Sequence, residues 1–480
     1  MKENSEIVFI QDGEIKRISM GMKGIQPTTT VLNYLRNSSD HKGTKEGCAE
    51  GDCGACTVVI SEITETNKLK YTAIDSCLVF MPMLHGKQLL TVENLKADEK
   101  LHPVQQEMVD KNGSQCGYCT PGFVMSLFAL FKENKQASQD DIRDALTGNL
   151  CRCTGYRPII EAASSACAQG NTDHFSKMEK EVIQKLKLIH SENNALCHTS
   201  SEQSYFQPTS IPEALKILSE HPDALLIQGA TDVALRVTKK HELLPKILDL
   251  SAVSELKTTE DKGTEIRFGS GMSLEAVKEN TEHTFPALYK MLAVFGSRQI
   301  RSLATLGGNL GSASPIGDTL PVLIALNARI ELQSPSGKRE IPMNEFVIGY
   351  RKTQKQANEI ISAVIIPKMN KDSIISSYKV SKRKDLDIST VSSGFCLKFK
   401  NEEISEAILA YGGMAEKTKR ATSAESFLIG KKWTRENAEK AGEFVYSEYT
   451  PLSDARSGAE FRRLAARNLV LKFWDETHQY

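Results

Sequence analysis

Three cysteines stand within nine residues, at Cys48, Cys53 and Cys56, and a fourth, Cys77, follows downstream. Glycines 47, 51 and 54 are interleaved with them. A gap of four residues, then two, then a distant fourth thiol is the plant-type [2Fe–2S] spacing. That chemistry needs both residue types. Four thiolates hold two irons, and a loop poor in side chains lets backbone N–H groups turn toward sulfur. A structural zinc site favours two paired CxxC knuckles over a three-cysteine loop. The expectation is an iron–sulfur cluster on Cys48, Cys53, Cys56 and Cys77.

At 480 residues the chain exceeds one ordinary core, so several domains are expected. Lys plus Arg and Asp plus Glu each number 60, and a formal net charge of zero gives no electrostatic case for nucleic acid or an anionic membrane. No apolar run approaches the roughly 20 residues that span a bilayer, and no secretory signal follows Met1. Eight of the eleven cysteines lie between residues 48 and 153. In a large chain without an export signal this points to metal ligation in a reducing compartment, by default the cytoplasm.

Residues 7–18 alternate around Asp12-Gly13, a type I′ hairpin signal, and residues 28–36 read as a short helix. With the cysteine loop and a strand over 57–60, residues 5–92 suit a ubiquitin-like (β-grasp) ferredoxin domain. Residues 93–170 read as four short helices. Pro103 opens the first, with Val104, Met108 and Val109 in helical spacing; Thr120 caps the second and Pro121 takes its first turn. Ser138-Gln139-Asp140-Asp141 is a capping box for the third, and Ile159, Ile160 and Ala163 mark the fourth. Cys116-Gly117-Tyr118-Cys119 and Cys151-Arg152-Cys153 face each other from loops as a second four-thiolate site, whose spacing alone also admits a zinc knuckle. Cys167, Cys197 and Cys396 read as small apolar residues.

Residues 171–204, including Ser191-Glu192-Asn193-Asn194, are polar and read as an interdomain linker, within which the charged stretch Lys177 to His190 can form a helix. Strands and helices alternate again over 205–370. The small-residue stretch 306–318 is either a ligand loop, whose N–H groups form a phosphate nest, or a turn-rich connection. No Gly-x-Gly-x-x-Gly occurs, so a Rossmann site is not supported. Residues 375–480 form a last α+β region, closed by a helix with Phe461, Leu464, Ala465, Leu469 and Phe473 as its core-facing stripe.

With GTKEGCAEGDCGACTVVI, QCGYCTPGFVMSL, GNLCRCTGYRPI, LATLGGNLGSASPIGDTLPVL, GYRKT, YGGMAEKTKRA and SDARSGAEFRRLAARNLV in view, the chain resembles the iron–sulfur/flavin portion of the molybdenum hydroxylases. Within that family it is most similar to the small subunits of bacterial two-subunit xanthine dehydrogenases. The resemblance implies one [2Fe–2S] cluster on Cys48, Cys53, Cys56 and Cys77, and another on Cys116, Cys119, Cys151 and Cys153, nearer the molybdenum. It implies a vanillyl-alcohol-oxidase-type FAD domain in which Leu226, Ile227, Gln228, Gly229, Ala230, Thr231 and Asp232 hold the pyrophosphate and ribityl chain. Phe295, Ile300, Ala304, Thr305, Gly308, Asn309, Ser314 and Asp318 would line the flavin, with Ile361 and Lys379 beside it and residues 382–387 toward the nicotinamide.

Because no molybdopterin domain follows, the resemblance implies that the molybdenum cofactor sits on a large partner subunit, in a heterodimer or higher heterotetramer. The implied activity is transfer of electrons from the partner through both clusters to FAD and then NAD⁺, in oxidation of hypoxanthine or xanthine to urate. No catalytic residue for hydroxylation is expected in this chain. Two alternatives stand beside it: the same role in an aldehyde or aza-heterocycle hydroxylase, and a non-catalytic iron–sulfur assembly scaffold.

Overall fold

Asp12 and Gly13 both take positive φ, 55° and 75°, and close the hairpin their dipeptide encodes, between β1 (Glu6–Gln11) and β2 (Glu14–Ser19). The computed structural model describes residues 3–133, 136–170, 172–192, 195–370 and 372–478. Contacts divide the chain into one unit of Met1–Ser254 with Gly296–Ala304, and a second of Glu255–Phe295 with Thr305–Tyr480.

In the first unit, α1 (Val31–Asn37), β3 (Thr57–Ile63), β4 (Leu69–Asp75) and β5 (Gln88–Leu90) complete the β-grasp, with strand order β2-β1-β5-β3-β4. Helix α1 starts three residues later than the pattern suggested, because Thr30 is the residue whose side chain accepts from Asn33 N–H. Its Val31, Leu32 and Leu35 pack with Phe9, Val58 and Phe80.

Four helices follow: α2 (Pro103–Asp110), α3 (Thr120–Lys132), α4 (Gln139–Ala145) and α5 (Arg157–Ala168). The Ser138 capping box forms as expected. Two details differ. Val109 is 60 % exposed, since the buried stripe of α2 runs through Val104 and Met108. Thr120 is already helical and Cys119 is the N-cap; the Thr120 hydroxyl pairs instead with Ser114 at 2.7 Å.

The segment 171–204 is not a loose linker, although Asn193 and Asn194 lie outside the described residues. Helix α6 (His174–Ser191) sets Val182, Leu186 and Ile189 against Val8 and Ile10 of β1. Asp173 anchors its start, bonded to His102 at 3.2 Å and Lys132 at 2.8 Å. Burial would push that carboxyl up, but both partners hold it well below the usual range. Then β6 (Leu196–Thr199), β7 (Ser204–Gln207), α7 (Ile211–Glu220), β8 (Leu225–Ile227), α8 (Ala234–Thr238) and β9 (Lys246–Asp249) build a sheet of order β6-β7-β9-β8, with β9 parallel to both neighbours.

The second unit begins with β10 (Thr259–Asp261), β11 (Glu265–Gly269), α9 (Leu274–Thr281) and α10 (Pro286–Ala293). The chain re-enters the first unit as α11 (Arg298–Leu303), then leaves it through α12 (Leu306–Ser312) and α13 (Thr319–Ala325). With β12 (Arg329–Ser334), β13 (Gly337–Pro342) and, after a short hairpin, the strand Ile360–Pro367, β10 and β11 form an antiparallel five-stranded sheet.

The last region is a four-stranded antiparallel sheet starting at Ser373–Val380 and covered by helices Arg435–Glu448 and Ala459–Thr477. The closing helix corrects the stripe read from sequence: Phe461 and Leu464 are 52 % and 42 % exposed. Leu469 and Phe473 face inward as the stripe had them, and Arg462, Ala466 and Val470 join them. Arg462 is accommodated because its guanidinium donates to Thr390 O, Gly413 O and Asp454. Among the described residues, no helix is long and apolar enough to cross a membrane.

Candidate functional site

The first cysteine loop turns its backbone onto sulfur. The N–H groups of Glu50, Asp52 and Cys53 donate to Cys48 Sγ at 3.4, 3.3 and 3.3 Å. The thiol of Cys48 adjoins that of Cys53, and Cys56 adjoins Cys77. Contact with Cys53, aided by those N–H donors, brings Cys48 down to about 5, against the effect of burial. Cys48 and then burial push Cys53 up, and Cys77 and then burial do the same to Cys56.

The glycines are sterically required. A Cβ on Gly47 would lie 2.6 Å from Cys53 Sγ. One on Gly51, at φ 76°, would lie 2.5 Å from Leu78 Cδ1 and 2.8 Å from Ile300 Cδ1. Asp75, which the sequence pattern did not single out, is fully buried beside this site, and burial raises its carboxyl well above the usual range. Its Oδ1 lies 3.8 Å from Cys56 Sγ.

The second site pairs Cys119 with Cys151 and Cys116 with Cys153. Burial, then the Cys151 sulfur, pushes Cys119 up to about 12. At Cys151 burial acts upward, but hydrogen bonds from Thr154 outweigh it and the thiol is lowered. Cys116 and Cys153 are exposed, whereas Cys56 and Cys77 are buried. Among the described residues, no three His, Cys, Asp or Glu side chains group as a site for a single metal ion. The thiols of both sites meet two by two, and four thiolates shared between two irons require such pairs. Both sites fit a [2Fe–2S] cluster.

The two loops touch. Leu150 N–H donates to Cys53 O at 3.0 Å, and Asn149 Nδ2 donates to Gly54 O at 3.2 Å. Gly54 has φ 68°, and a Cβ there would sit 2.1 Å from Gly148 O.

The candidate flavin residues fall in both units. In the first, Leu226 and Ile227 end β8, and Gln228, Gly229, Ala230, Thr231 and Asp232 form the loop beyond its carboxyl end. Ala230 takes φ 58°. A Cβ on Gly229 would lie 1.9 Å from Leu303 O and 3.1 Å from Ala304 Cα, so this loop and Ala304 come together. Ile300 faces Gly51.

In the second unit, Lys379 and Asp318 form a buried ion pair at 3.2 Å, their side chains 3 % and 5 % exposed. Lys379 also donates to Val294 O at 2.8 Å, next to Phe295. Asp318 Oδ1 has no partner, an orphaned buried acceptor that a flavin donor can satisfy. Asn309 Oδ1 accepts from Thr319 at 2.5 Å, Ile361 packs beside Gly311, and the Ser314 carbonyl closes a turn with Gly317 N–H.

A phosphate nest, one of the two readings of this stretch, does not form at its start, because α12 is a helix. The N–H groups of Leu306, Gly307 and Asn309 donate to Met272 O, Ser270 O and Thr305 O, and that of Gly308 to Thr305 Oγ1 at 3.1 Å.

Four family profiles match in succession. Residues 23–81 match the 2Fe-2S iron-sulfur cluster binding domain and 91–164 the [2Fe-2S] binding domain. Residues 199–369 match the FAD binding domain in molybdopterin dehydrogenase, and 376–477 the CO dehydrogenase flavoprotein C-terminal domain. The chain belongs to the iron–sulfur and flavin part of the molybdenum hydroxylases. Xanthine dehydrogenase/oxidase of Mus musculus is 32 % identical over 519 residues, covering 98 % of this chain and 39 % of that protein. Xanthine dehydrogenase of Emericella nidulans is 34 % identical, covering 86 % and 34 %. The chain thus spans about two fifths of the length of these relatives.

Among solved structures, a chain of carbon monoxide dehydrogenase from Hydrogenophaga pseudoflava superposes with a TM-score of 0.54 at 22 % identity, covering 57 % of this chain and 96 % of that one. A chain of quinoline 2-oxidoreductase from Pseudomonas putida 86 gives 0.54 at 24 %, covering 59 % and 99 %. The chain thus carries two domains of the [2Fe–2S]-binding kind and an FAD-binding domain of the molybdopterin dehydrogenase kind.

Proposed function

We propose that this chain carries electrons from a molybdenum centre on a partner chain to NAD⁺, in oxidation of hypoxanthine or xanthine to urate. One observation carries the direction. The Cys116–Cys153 pair is exposed, whereas Cys56 and Cys77 of the other set are buried and Gly51 in its loop faces Ile300 of the flavin stretch. Electrons would enter at the outer thiols and leave beside the flavin. The clusters accept electrons singly and the flavin releases them as a pair when bound.

Cys116, Cys119, Cys151 and Cys153 would hold the outer cluster, and Cys48, Cys53, Cys56 and Cys77 the inner one. The residues proposed to contact FAD are 226–232, Ile300 and Ala304 in the first unit, and Phe295, Thr305, Gly308, Asn309, Ser314, Asp318, Ile361 and Lys379 in the second. Lys379 pairs with Asp318 and orients it, with its Oδ1 turned away from the pair and able to accept. On this reading residues 5–92 and 93–170 are the cluster domains, 205–370 the flavin domain and 375–480 its C-terminal companion. The matched carbon monoxide dehydrogenase and quinoline 2-oxidoreductase chains, nearly all covered by part of this one, support a molybdenum partner carried on a separate chain. A reducing cytoplasm suits eleven free cysteines.

The test is anaerobic addition of xanthine to the complex purified with its natural partner. Bleaching of the visible absorbance, reversed by NAD⁺ with NADH formed, supports the whole reading. Bleaching by NADH but not xanthine refutes the purine and leaves an aldehyde or aza-heterocycle hydroxylase. No response to either refutes electron transfer and favours the assembly scaffold.

A further inference from the structure

Nine residues of the flavin stretch, Gly296–Ala304, pack inside the first unit, and their polar side chains are committed there. Arg301 is fully buried and donates to Asp144 at 2.6 Å, and Arg298 N–H donates to Thr147 Oγ1 at 3.2 Å. Gln299 goes deepest. Fully buried, it donates through Nε2 to Ser126 Oγ on α3 at 2.9 Å and to Asn149 Oδ1 at 3.0 Å. Asn149 also accepts from Ser126 at 2.6 Å, and its Nδ2 donates to Gly54 O and Thr57 Oγ1, both at 3.2 Å.

This node of buried amides and hydroxyls joins three separate pieces of chain: the inner cysteine loop, the helical domain and α11. No slack remains in it, since a Cβ on Gly148 would lie 2.2 Å from Gln299 Oε1. The residue after Asn149 is Leu150, whose N–H donates to Cys53 O at 3.0 Å, and Cys151 follows directly. A path of covalent bonds and one hydrogen bond therefore leads from a thiol of the inner site to a thiol of the outer site. Asn149 sits at the hinge of that path, and Gln299 fixes Asn149.

We propose that Gln299 is a positioning residue for electron transfer between the two clusters. It holds the Asn149 amide, and through it the contact of Leu150 with Cys53. The inference rests on the reading that both thiol sets carry clusters. Removing the Gln299 amide takes one donor from Asn149 Oδ1 and one from Ser126 Oγ in a buried site, so the loop bearing Leu150 shifts until those groups find partners. Partners one layer out from metal ligands typically change activity 10–100-fold when removed.

The experiment compares the holo-protein with Gln299→Leu, with the milder Ser126→Ala, and with the double variant. Iron and flavin content, spin–spin splitting in the electron paramagnetic resonance spectrum of the fully reduced protein, and the rate of electron equilibration between clusters after a reducing pulse are measured. The expected result for Gln299→Leu is full iron and flavin, an altered splitting, and equilibration slowed on the order of tenfold. The double variant should lose no more than Gln299→Leu alone, because both act through one node. Unchanged splitting and rate in Gln299→Leu would overturn the proposal. So would loss of iron in Gln299→Leu together with an unchanged splitting and rate in Ser126→Ala, which would make Gln299 a packing residue only. Failure of the unmodified protein to show two cluster signals would instead defeat the underlying cluster assignment.

Discussion

Replacing Gly54 with alanine separates two effects that are usually mixed. Gly54 has φ 68°, and an added Cβ would meet Gly148 O at 2.1 Å, Asn149 Nδ2 at 2.5 Å and Asn149 Cα at 3.0 Å. Two of those three atoms are backbone, so the obstacle cannot rotate away. The left-handed conformation costs an L-residue about 1–2 kcal/mol, and forcing atoms into a filled site adds about 1–3 kcal/mol. Gly54→Ala should therefore destabilise the first unit by about 2–5 kcal/mol. Gly24 is the control: its φ is 88° and nothing lies within 4 Å of its added Cβ. Gly24→Ala should cost only the conformational part, about 1–2 kcal/mol. Urea unfolding of both variants, followed by far-ultraviolet circular dichroism, gives the two numbers, and iron analysis shows whether the thiol sites still fill. Equal losses in the two variants would refute the claim that the loops are in steric contact at Gly54.

Other outcomes follow from the same geometry. Cys151→Ser should abolish one of two cluster signals while FAD stays bound; two surviving signals would refute the ligand assignment. Lys379→Met leaves Asp318 buried without its counter-charge, a loss of about 3–5 kcal/mol, and should empty the flavin site; full flavin content by absorbance would count against it. Arg462→Ala strips Thr390 O, Gly413 O and Asp454 of their donor, and should lower the melting temperature by several degrees. Glu331 sets an acid limit. Burial would push its carboxyl up, but Arg267, Ser362 and Lys338 hold it down to about 2. A depressed carboxylate contributes stability above its unfolded value, near 4.5, that is lost as pH falls toward 2. Allowing for solvent screening, Glu331→Gln should remove about 1–2 kcal/mol of stability at pH 7 and flatten the acid limb of a pH–stability curve.

Local chemistry explains which parts of this fold were legible. Asp12-Gly13, Pro103 and Ser138 act through their own backbone and near neighbours, so their sequence signals hold. The first cysteine loop was legible as a motif, because Cys48, Cys53 and Cys56 stand within nine residues. The helical reading of 177–190 holds in α6, but its lysines and glutamates hid its packing: an apolar stripe that includes Val182, Leu186 and Ile189 suffices when β1 offers a face for it. The small-residue stretch stayed open between two readings because N–H groups at its start find acceptors at Ser270 and Met272, about thirty-five residues upstream, which no local pattern reveals. In the closing helix, Arg462 displaces Phe461 from the inner face because three distant acceptors await it. Asn149 and Gln299 escaped for the same reason: an amide carries no sign of its partners until the chain is folded.

The return of Gly296–Ala304 to the first unit also bears on how such a chain is made. During synthesis the first 254 residues leave the ribosome with the slot formed by Gly51, Gly148 and Ser126 still empty, and stay incomplete until about fifty more residues have emerged. The iron–sulfur half therefore cannot finish folding before the flavin half is well under way. Completion of the first unit is thereby tied to synthesis of the stretch that carries Gly296–Ala304.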